Sequence, residues 1–430
     1  MKKNLYLFIT LVLTFFLTAC NNGQESSGSS SVNQDDSPEK VELTFWAFGS
    51  TGYDELIEEY ESMNEHVAIT LQNAALADHH DSLFTTISAG SGAPDITMIE
   101  LGFIEQYKEV PDRFYNLFDF GAKDIKDSFL DWKWDVGEIV DEDYLIGLPT
   151  DIGPTAMVYR TDVFEEAGLP SDPEQAAKLF ETWEDFRKQA KIITESTGKP
   201  VTDSVTQLYN ALRDQAPEQY FNTDNELIIE SSPYIKEAYD YTVTLVADGV
   251  VGDIAAWTPE WGTAMDEGSF ATLLAPSWML GVVKGNAPDA SGMWSIMTLP
   301  EGAGNWGGSY LAIPSQSEHP EEAYKFMEWL TSSENQLKSF ESMGLFPSTP
   351  ETYEQPGFLE YSDEYFGGIN TAEIYAEAAE QVKSVYLGPN HSIANNEIIV
   401  ALDNVLNEGG DPEKEWEDAI KRMKAQLDRQ

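Results

Sequence analysis

The sequence predicts an α/β fold built on a doubly wound sheet flanked by helices, and three observations predict it. Strand-like and helix-like stretches alternate from Val41 to Ile99 with short connections, an order that right-handed crossovers turn into a parallel sheet. Amphipathic helical stripes recur as far as residue 427. Hydrophobic residues make up 42% of the 430-residue chain, with 11 Trp, 19 Tyr and 21 Phe, which is apolar surface enough for about two domains.

Val41, Leu43, Phe45 and Ala47 alternate, the period of a strand with one face buried more deeply. Tyr53, Leu56, Ile57 and Tyr60 follow at helical spacing. Thr51 is placed to cap that helix, and Asp54 and Glu55 fall in the first turn, where the helix dipole favours acids. Val67, Ile69 and Leu71 form a second alternating strand. Leu83, Phe84 and Ile87 mark a second helix that stops near Gly90, and the apolar run Ile96 to Ile99 follows Gly92-Ala93-Pro94 as the third strand. Later helices are read at Thr182 to Thr194 on Trp183, Phe186, Ala190 and Ile193, at Pro320 to Thr331 on Ala323, Phe326, Met327 and Leu330, and at Pro412 to Leu427 on Trp416, Ala419, Ile420 and Met423. Pro320 and Pro412 suit a first turn, and Thr182 with Asp185 resembles a capping box with a shorter acid. No repeat of about 20 to 50 residues is visible, which removes solenoids and propellers.

The amino-terminal end has its own grammar. Lys2 and Lys3 precede an apolar stretch from Leu5 to Leu17, which ends in Leu17-Thr18-Ala19-Cys20. That order is a secretory signal over residues 1–19, too short to span a bilayer comfortably. The Leu-Thr-Ala-Cys string resembles a bacterial lipobox, which implies cleavage before Cys20 and diacylation of its thiol. Residues 20–40 are then the lipidated cysteine and a flexible tether rich in Ser, Gly, Asn and acids, anchored to the cell membrane through its lipid. Cys20 is the only cysteine, so no intramolecular disulfide forms.

Charge excludes a class of partner. The formal net charge is −50, and −52 without Lys2 and Lys3. A phosphate backbone needs a basic surface, so nucleic acid is not a partner. The acidity suits a saline or alkaline medium.

Five segments carry a family resemblance: LTFWAFG at the first strand, ISAGSGAPDITMIE into the third, IGLPTDIGPTAMVYRTDVFEEAGLP, TWEDFRKQAK, and GNWGGSYLAIPSQSEHPEEAYKFMEWLTSSENQ. Together they resemble the extracellular solute-binding proteins of bacterial ABC importers, in the sugar-binding group that includes maltose-binding protein. The resemblance implies a two-lobed periplasmic-binding-protein-like fold, with a ligand cleft between α/β lobes and strands that cross between them as a hinge. By position, crossings are expected at Thr150 to Thr155, Gly307 to Ala312 and Gly344 to Ser348. The first lobe would be 41–152 plus 308–345, and the second 153–307 plus 346–430. Gly153-Pro154 and Gly307-Gly308 are breaks inside strand-like strings, which fits such crossings.

A sugar offers apolar C–H faces and hydroxyls, so its site needs flat aromatic platforms with carboxylate, amide or guanidinium partners. Tryptophans near Gly, Pro or strand ends are the candidates: Trp278 and Trp261 first, then Trp306, Trp257 and Trp46. Phe366 and Tyr365, before Gly367-Gly368, are candidates for a further wall. Among polar groups Asp151 ranks first because it stands at the expected first crossing, then Glu100, with Ser309 and Tyr310 after the double glycine. Asp95 reads as a group that positions the chain. Trp278→Ala is expected to weaken binding more than it lowers the melting temperature.

The resemblance implies capture and delivery: the lobes share an oligosaccharide, close on it and dock on the membrane permease subunits of an importer, as a monomer without cofactor. A peptide or polyamine is the alternative ligand. A secreted glycoside hydrolase is the rival class, but it needs two carboxylates at a defined separation, and 75 acids decide nothing. No Gly-x-Ser-x-Gly elbow and no His-Glu-x-x-His spacing occurs, so neither a serine nucleophile nor a zinc site is expected. His79 and His80 are adjacent and read as surface histidines.

Overall fold

The computed structural model describes residues 40–429. The signal segment, Cys20 and most of the tether lie outside the described residues.

The first sheet starts as the alternation predicts. Strands β1 (Val41–Phe48), β2 (Val67–Ala74) and β3 (Ile96–Glu100) are parallel in the order β2-β1-β3, with Val41 opposite Val67 and Phe45 opposite Ile96. Helices α1 (Tyr53–Met63) and α2 (Leu76–Ala89) make the crossovers. Tyr53, Leu56, Ile57 and Tyr60 are all buried, against Phe45, Phe326 and Trp329 among others. The cap differs from expectation. Gly52, at φ 67, is the N-cap of α1, and Thr51 Oγ1 accepts only a long 3.4 Å bond from Tyr53 N. Phe84 also differs: it is exposed, and the buried stripe of α2 runs through Leu83 and Ile87.

Two further strands complete this sheet through antiparallel pairings. Ser309–Ala312 pairs with β3, Ser309 opposite Glu100, and Leu148–Pro149 pairs with Ser309–Ala312. The second sheet has three strands, Trp294–Met297, Thr155–Arg160 and Thr272–Pro276, with Thr155–Arg160 in the middle and both pairings antiparallel. The parallel doubly wound pattern is therefore confined to the first lobe. All residues of these three strands are buried; an unbroken buried run carries no period, and its direction is set by connections that periodicity does not report.

Helices cover both sheets. Helix Trp183–Thr197 is capped by Thr182, whose Oγ1 accepts from Asp185 N at 3.1 Å, and its stripe of Trp183, Phe186, Ala190 and Ile193 packs behind the second sheet. Helices Val205–Asp214, Tyr234–Ala247, His391–Asn407 and Pro412–Leu427 share another core around Tyr209, Tyr239, Ile398 and Trp416.

Two segments pass between the sheets. Residues 148–160 leave the first sheet, pair as Asp151–Ile152 with Phe346–Pro347, and enter the second. Residues 297–309 return, with Pro154 bridged to Asn305. Backbones come close here. A Cβ on Gly153 would stand 1.9 Å from Trp306 O, and one on Gly308, at φ 94, would stand 2.5 Å from Asp151 O, so only glycine fits.

Candidate functional site

A cavity of about 220 Å³ opens beside these crossings. Its lining comes from α3 (Leu101–Lys108) with the preceding Glu100, from α4 (Asp131–Gly137), from the ends of helices Val205–Asp214 and His391–Asn407, and from the crossing at Asn305–Gly307. Both lobes therefore contribute.

One side supplies flat apolar surface. Trp132 and Phe103 line the cavity with Trp306. Phe103 is held by His80, whose ring stacks on it at 3.9 Å and 9°. His80 and His79 are buried, not on the surface: His79 Nε2 pairs with Met98 O at 2.7 Å, and His80 Nδ1 with Tyr107 Oη at 3.2 Å. Burial pushes the His80 imidazole down to about 3, so both rings act as neutral packing groups. Among the described residues no group of three His, Cys, Asp or Glu could hold a metal ion.

Other lining residues are polar. Arg213 Nε and Nη2 donate to Asp214 Oδ1 at 2.8 and 2.7 Å, and its Nη1 donates to Asn210 Oδ1 at 2.9 Å and to Asn395 Oδ1. Tyr220 Oη donates to the same Asn395 oxygen at 2.9 Å. The network leaves Asp214 Oδ2, Gln219 Oε1 and His391 Nδ1 buried without a protein hydrogen-bond partner. Burial, with the Arg213 charge beside it, pushes the His391 imidazole down to about 3, so it stays neutral. Unpaired buried polar atoms are costly, and these belong to residues that line the cavity.

Glu100 joins the cavity to the hinge. It ends β3 and caps α3, its Oε2 accepting from Gly102 N at 2.7 Å. Burial pushes its carboxyl up to about 7, against the opposing pull of the Gly102 N–H and of Lys133. Lys133 is fully buried; its ammonium has no hydrogen-bond partner, lies 3.9 Å from the Tyr310 ring centre, and is pushed down to about 7 by burial despite Asp151 and Glu100. Asp151 accepts from Thr150 Oγ1 at 2.6 Å and Ser309 N at 3.0 Å. A buried lysine and two buried carboxyl groups thus sit where the strands cross.

The sequence-predicted residues divide accordingly. Trp306 and Glu100 line the cavity. Asp151, Ser309 and Tyr310 are buried at the crossing and tie strands together. Trp278 is half-buried against both lobes' cores, its Nε1 donating to Trp306 O at 3.1 Å, so it carries Trp306 and is not itself a lining residue. Trp261 and Phe366 are core: Trp261 is 1% exposed with Nε1 donating to Asp203 Oδ2 at 2.7 Å, and Phe366 is fully buried. Their neighbours Pro259 and Gly367-Gly368 mark turns, which bring an aromatic side chain inward as readily as outward. Tyr365 packs beside Phe366 and donates to Ala287 O. Trp46 is half-buried on β1, opposite Gln72 and Thr97, and away from the cavity lining. Trp257 is exposed. Asp95 positions chain, accepting from Thr44 N, Thr44 Oγ1 and Ser317 Oγ.

The reading from sequence missed Trp132, Asn210, Arg213, Asp214 and His391. A signal existed: Gln207, Asn210 and Asp214 put polar groups at helical spacing on a helix whose other neighbours, Leu208, Tyr209 and Ala211, are apolar.

Comparison with known proteins decides the family. The profile of the bacterial extracellular solute-binding proteins matches residues 55–366. The chain belongs to that family. This solute-binding protein is 25% identical over 402 residues to an arabinooligosaccharide-binding protein of Halalkalibacterium halodurans, covering 88% of this chain and 87% of the relative. It is 26% identical over 422 residues to an arabinooligosaccharide-binding protein of Bacillus subtilis, covering 92% and 93%. A crystal structure of a family 1 extracellular solute-binding protein superposes with a TM-score of 0.82 at 33% identity, over 90% of this chain and 99% of the other. The family is one of extracellular binding proteins, and the fold is the two-lobed one.

Proposed function

We propose that this protein captures an oligosaccharide outside the cell and delivers it intact to the permease of an ABC importer by hinged closure of two lobes, 41–152 plus 308–345 and 153–307 plus 346–430. The observation that carries this reading is the cavity lined from both lobes, which brings the flat rings of Trp132, Phe103 and Trp306 together with the polar side chains of Asn210, Arg213, Asp214, Gln219 and His391. Flat faces suit the C–H surface of a sugar ring, and polar side chains suit its hydroxyls. Relatives named for arabinooligosaccharides and, in Rhizobium radiobacter, for lactose point to the same ligand class. Cys20 would carry the lipid that keeps the monomeric protein at the membrane, and capture needs no cofactor and no hydrolysis.

Calorimetric titration of wild type and Trp306→Ala with oligosaccharides, amino acids, short peptides and polyamines tests this. A sugar is expected to bind, and Trp306→Ala to bind it roughly tenfold or more weakly, the loss of one good aromatic contact. Binding of peptides or polyamines alone would overturn the sugar assignment and leave the capture architecture.

A further inference from the structure

Trp132, Lys133 and Trp134 are consecutive on α4 and serve three different places. Trp132 lines the cavity, Trp134 is fully buried in the core of the first sheet, and Lys133 is fully buried at the strand crossing. The Lys133 Nζ lies over the Tyr310 ring, and Tyr310 Oη donates in turn to Lys133 O at 2.9 Å. A Cβ on Gly308 would stand 3.0 Å from Nζ and 2.5 Å from Asp151 O. The amine therefore reaches the point where residues 148–160 and 297–309 pass each other. No protein atom accepts a hydrogen bond from it.

An ammonium buried without a partner is costly, and an apolar side chain of the same volume would fill the space at less cost. The site favours the neutral amine, and burial pushes Lys133 down to about 7. The groups that oppose this are fixed on other elements. Glu100, at the end of β3, is held by Gly102 N, and Asp151 by Ser309 N and Thr150 Oγ1; both pull the amine toward its charged form. Beyond them stand Arg213 by Glu100, Tyr53 by Asp151 and Glu105 by Tyr310.

The lobes meet in this arrangement. Gln106 Nε2, on α3, donates to Pro389 O at 2.9 Å, and Leu387 and His391 on either side of Pro389 line the cavity. Parting the lobes would slide the crossing segments, move Asp151 relative to Lys133 and admit water to Nζ, which solvates the charged form. Resting on the capture reading above, we infer that Lys133 is a positioning residue that links closure of the lobes to a proton, released as they close and taken up as they open. The protein thereby holds its ligand more tightly in an alkaline medium than at neutrality.

Small-angle scattering of the full protein without ligand at pH 7 and pH 9, beside Lys133→Met, tests the link. Methionine fills the same space without a charge, so that variant folds. Over this range release of up to one proton shifts the balance toward the closed form by up to about tenfold per pH unit. Wild type is expected to have a smaller radius of gyration at pH 9 than at pH 7, and Lys133→Met the same compact value at both. The other acids are common to the two proteins, so the variant accounts for the effect of net charge. An oligosaccharide that binds in the calorimetric titration above should gain up to about tenfold in affinity per pH unit with wild type, and nothing with Lys133→Met. Parallel responses of the two proteins to pH would overturn the link. If wild type does not contract with a bound oligosaccharide at either pH, hinged closure itself fails, and with it the reading on which the link rests.

Discussion

Glu100 shows how one residue serves both framework and site. It caps α3, lines the cavity and keeps a carboxyl pushed up to about 7 by burial. A carboxyl raised above its unfolded value of 4.5 binds its proton more tightly in the folded chain, so its contribution to stability is full below about pH 4.5 and is lost as pH rises through about 7. Glu100→Gln keeps an oxygen for Gly102 N and removes that titration. Denaturant melts between pH 4.5 and 7 should therefore show a shallower fall in stability for Glu100→Gln than for wild type, and parallel curves would mean that Glu100 titrates normally. The sequence made Glu100 and Trp306 legible because each stands at a strand end or a double glycine. It did not separate Trp261 from them, since a turn marker says where the chain bends and nothing about which way the indole points. Arg213 and His391 were hidden for another reason: their roles depend on Asn210, Asn395 and Asp214, and one of these lies about 180 residues away along the chain.

Elements divide the same way. Amphipathic stripes gave helices Trp183–Thr197, Pro320–Leu330 and Pro412–Leu427 nearly to their ends, because local spacing and caps fix them. Thr182→Ala should cost about 1 kcal/mol, the usual loss of a side-chain cap, in a denaturant titration. The antiparallel second sheet was not legible, since long connections decide its direction. At the crossing, a Cβ on Gly153 meets Trp306 O at 1.9 Å, whereas a Cβ on Gly49 meets nothing within 4 Å. Gly153→Ala should then destabilise by at least about 3 kcal/mol, as severe clashes do, and Gly49→Ala, at φ 65, by only about 1 kcal/mol of left-handed backbone strain. Similar small losses for both would show that the crossing strands can part without cost.

At the scale of the molecule, a formal net charge of −50 sets the background against which the lobes pack. Like charges repel over about 30 Å at 0.01 M salt and about 8 Å at 0.15 M. The melting temperature is expected to rise across that range, as the self-repulsion of the compact state is screened, and a flat response would mean that the acids are already neutralised locally. The two-lobed arrangement was legible from the five quoted segments rather than from periodicity, because hinge crossings pair residues far apart in sequence, such as Asp151 with Ser309. The central claim is capture of an intact oligosaccharide, and thermal melts of the purified protein against oligosaccharides, amino acids, peptides, polyamines and divalent metals, with each hit recovered and checked for breakdown, test it most directly. A sugar at about a thousand times its dissociation constant should stabilise the protein by roughly 4 kcal/mol, several degrees for a chain of this size, and be recovered whole; a melting temperature raised only by the other ligands, or a sugar recovered in pieces, would contradict it.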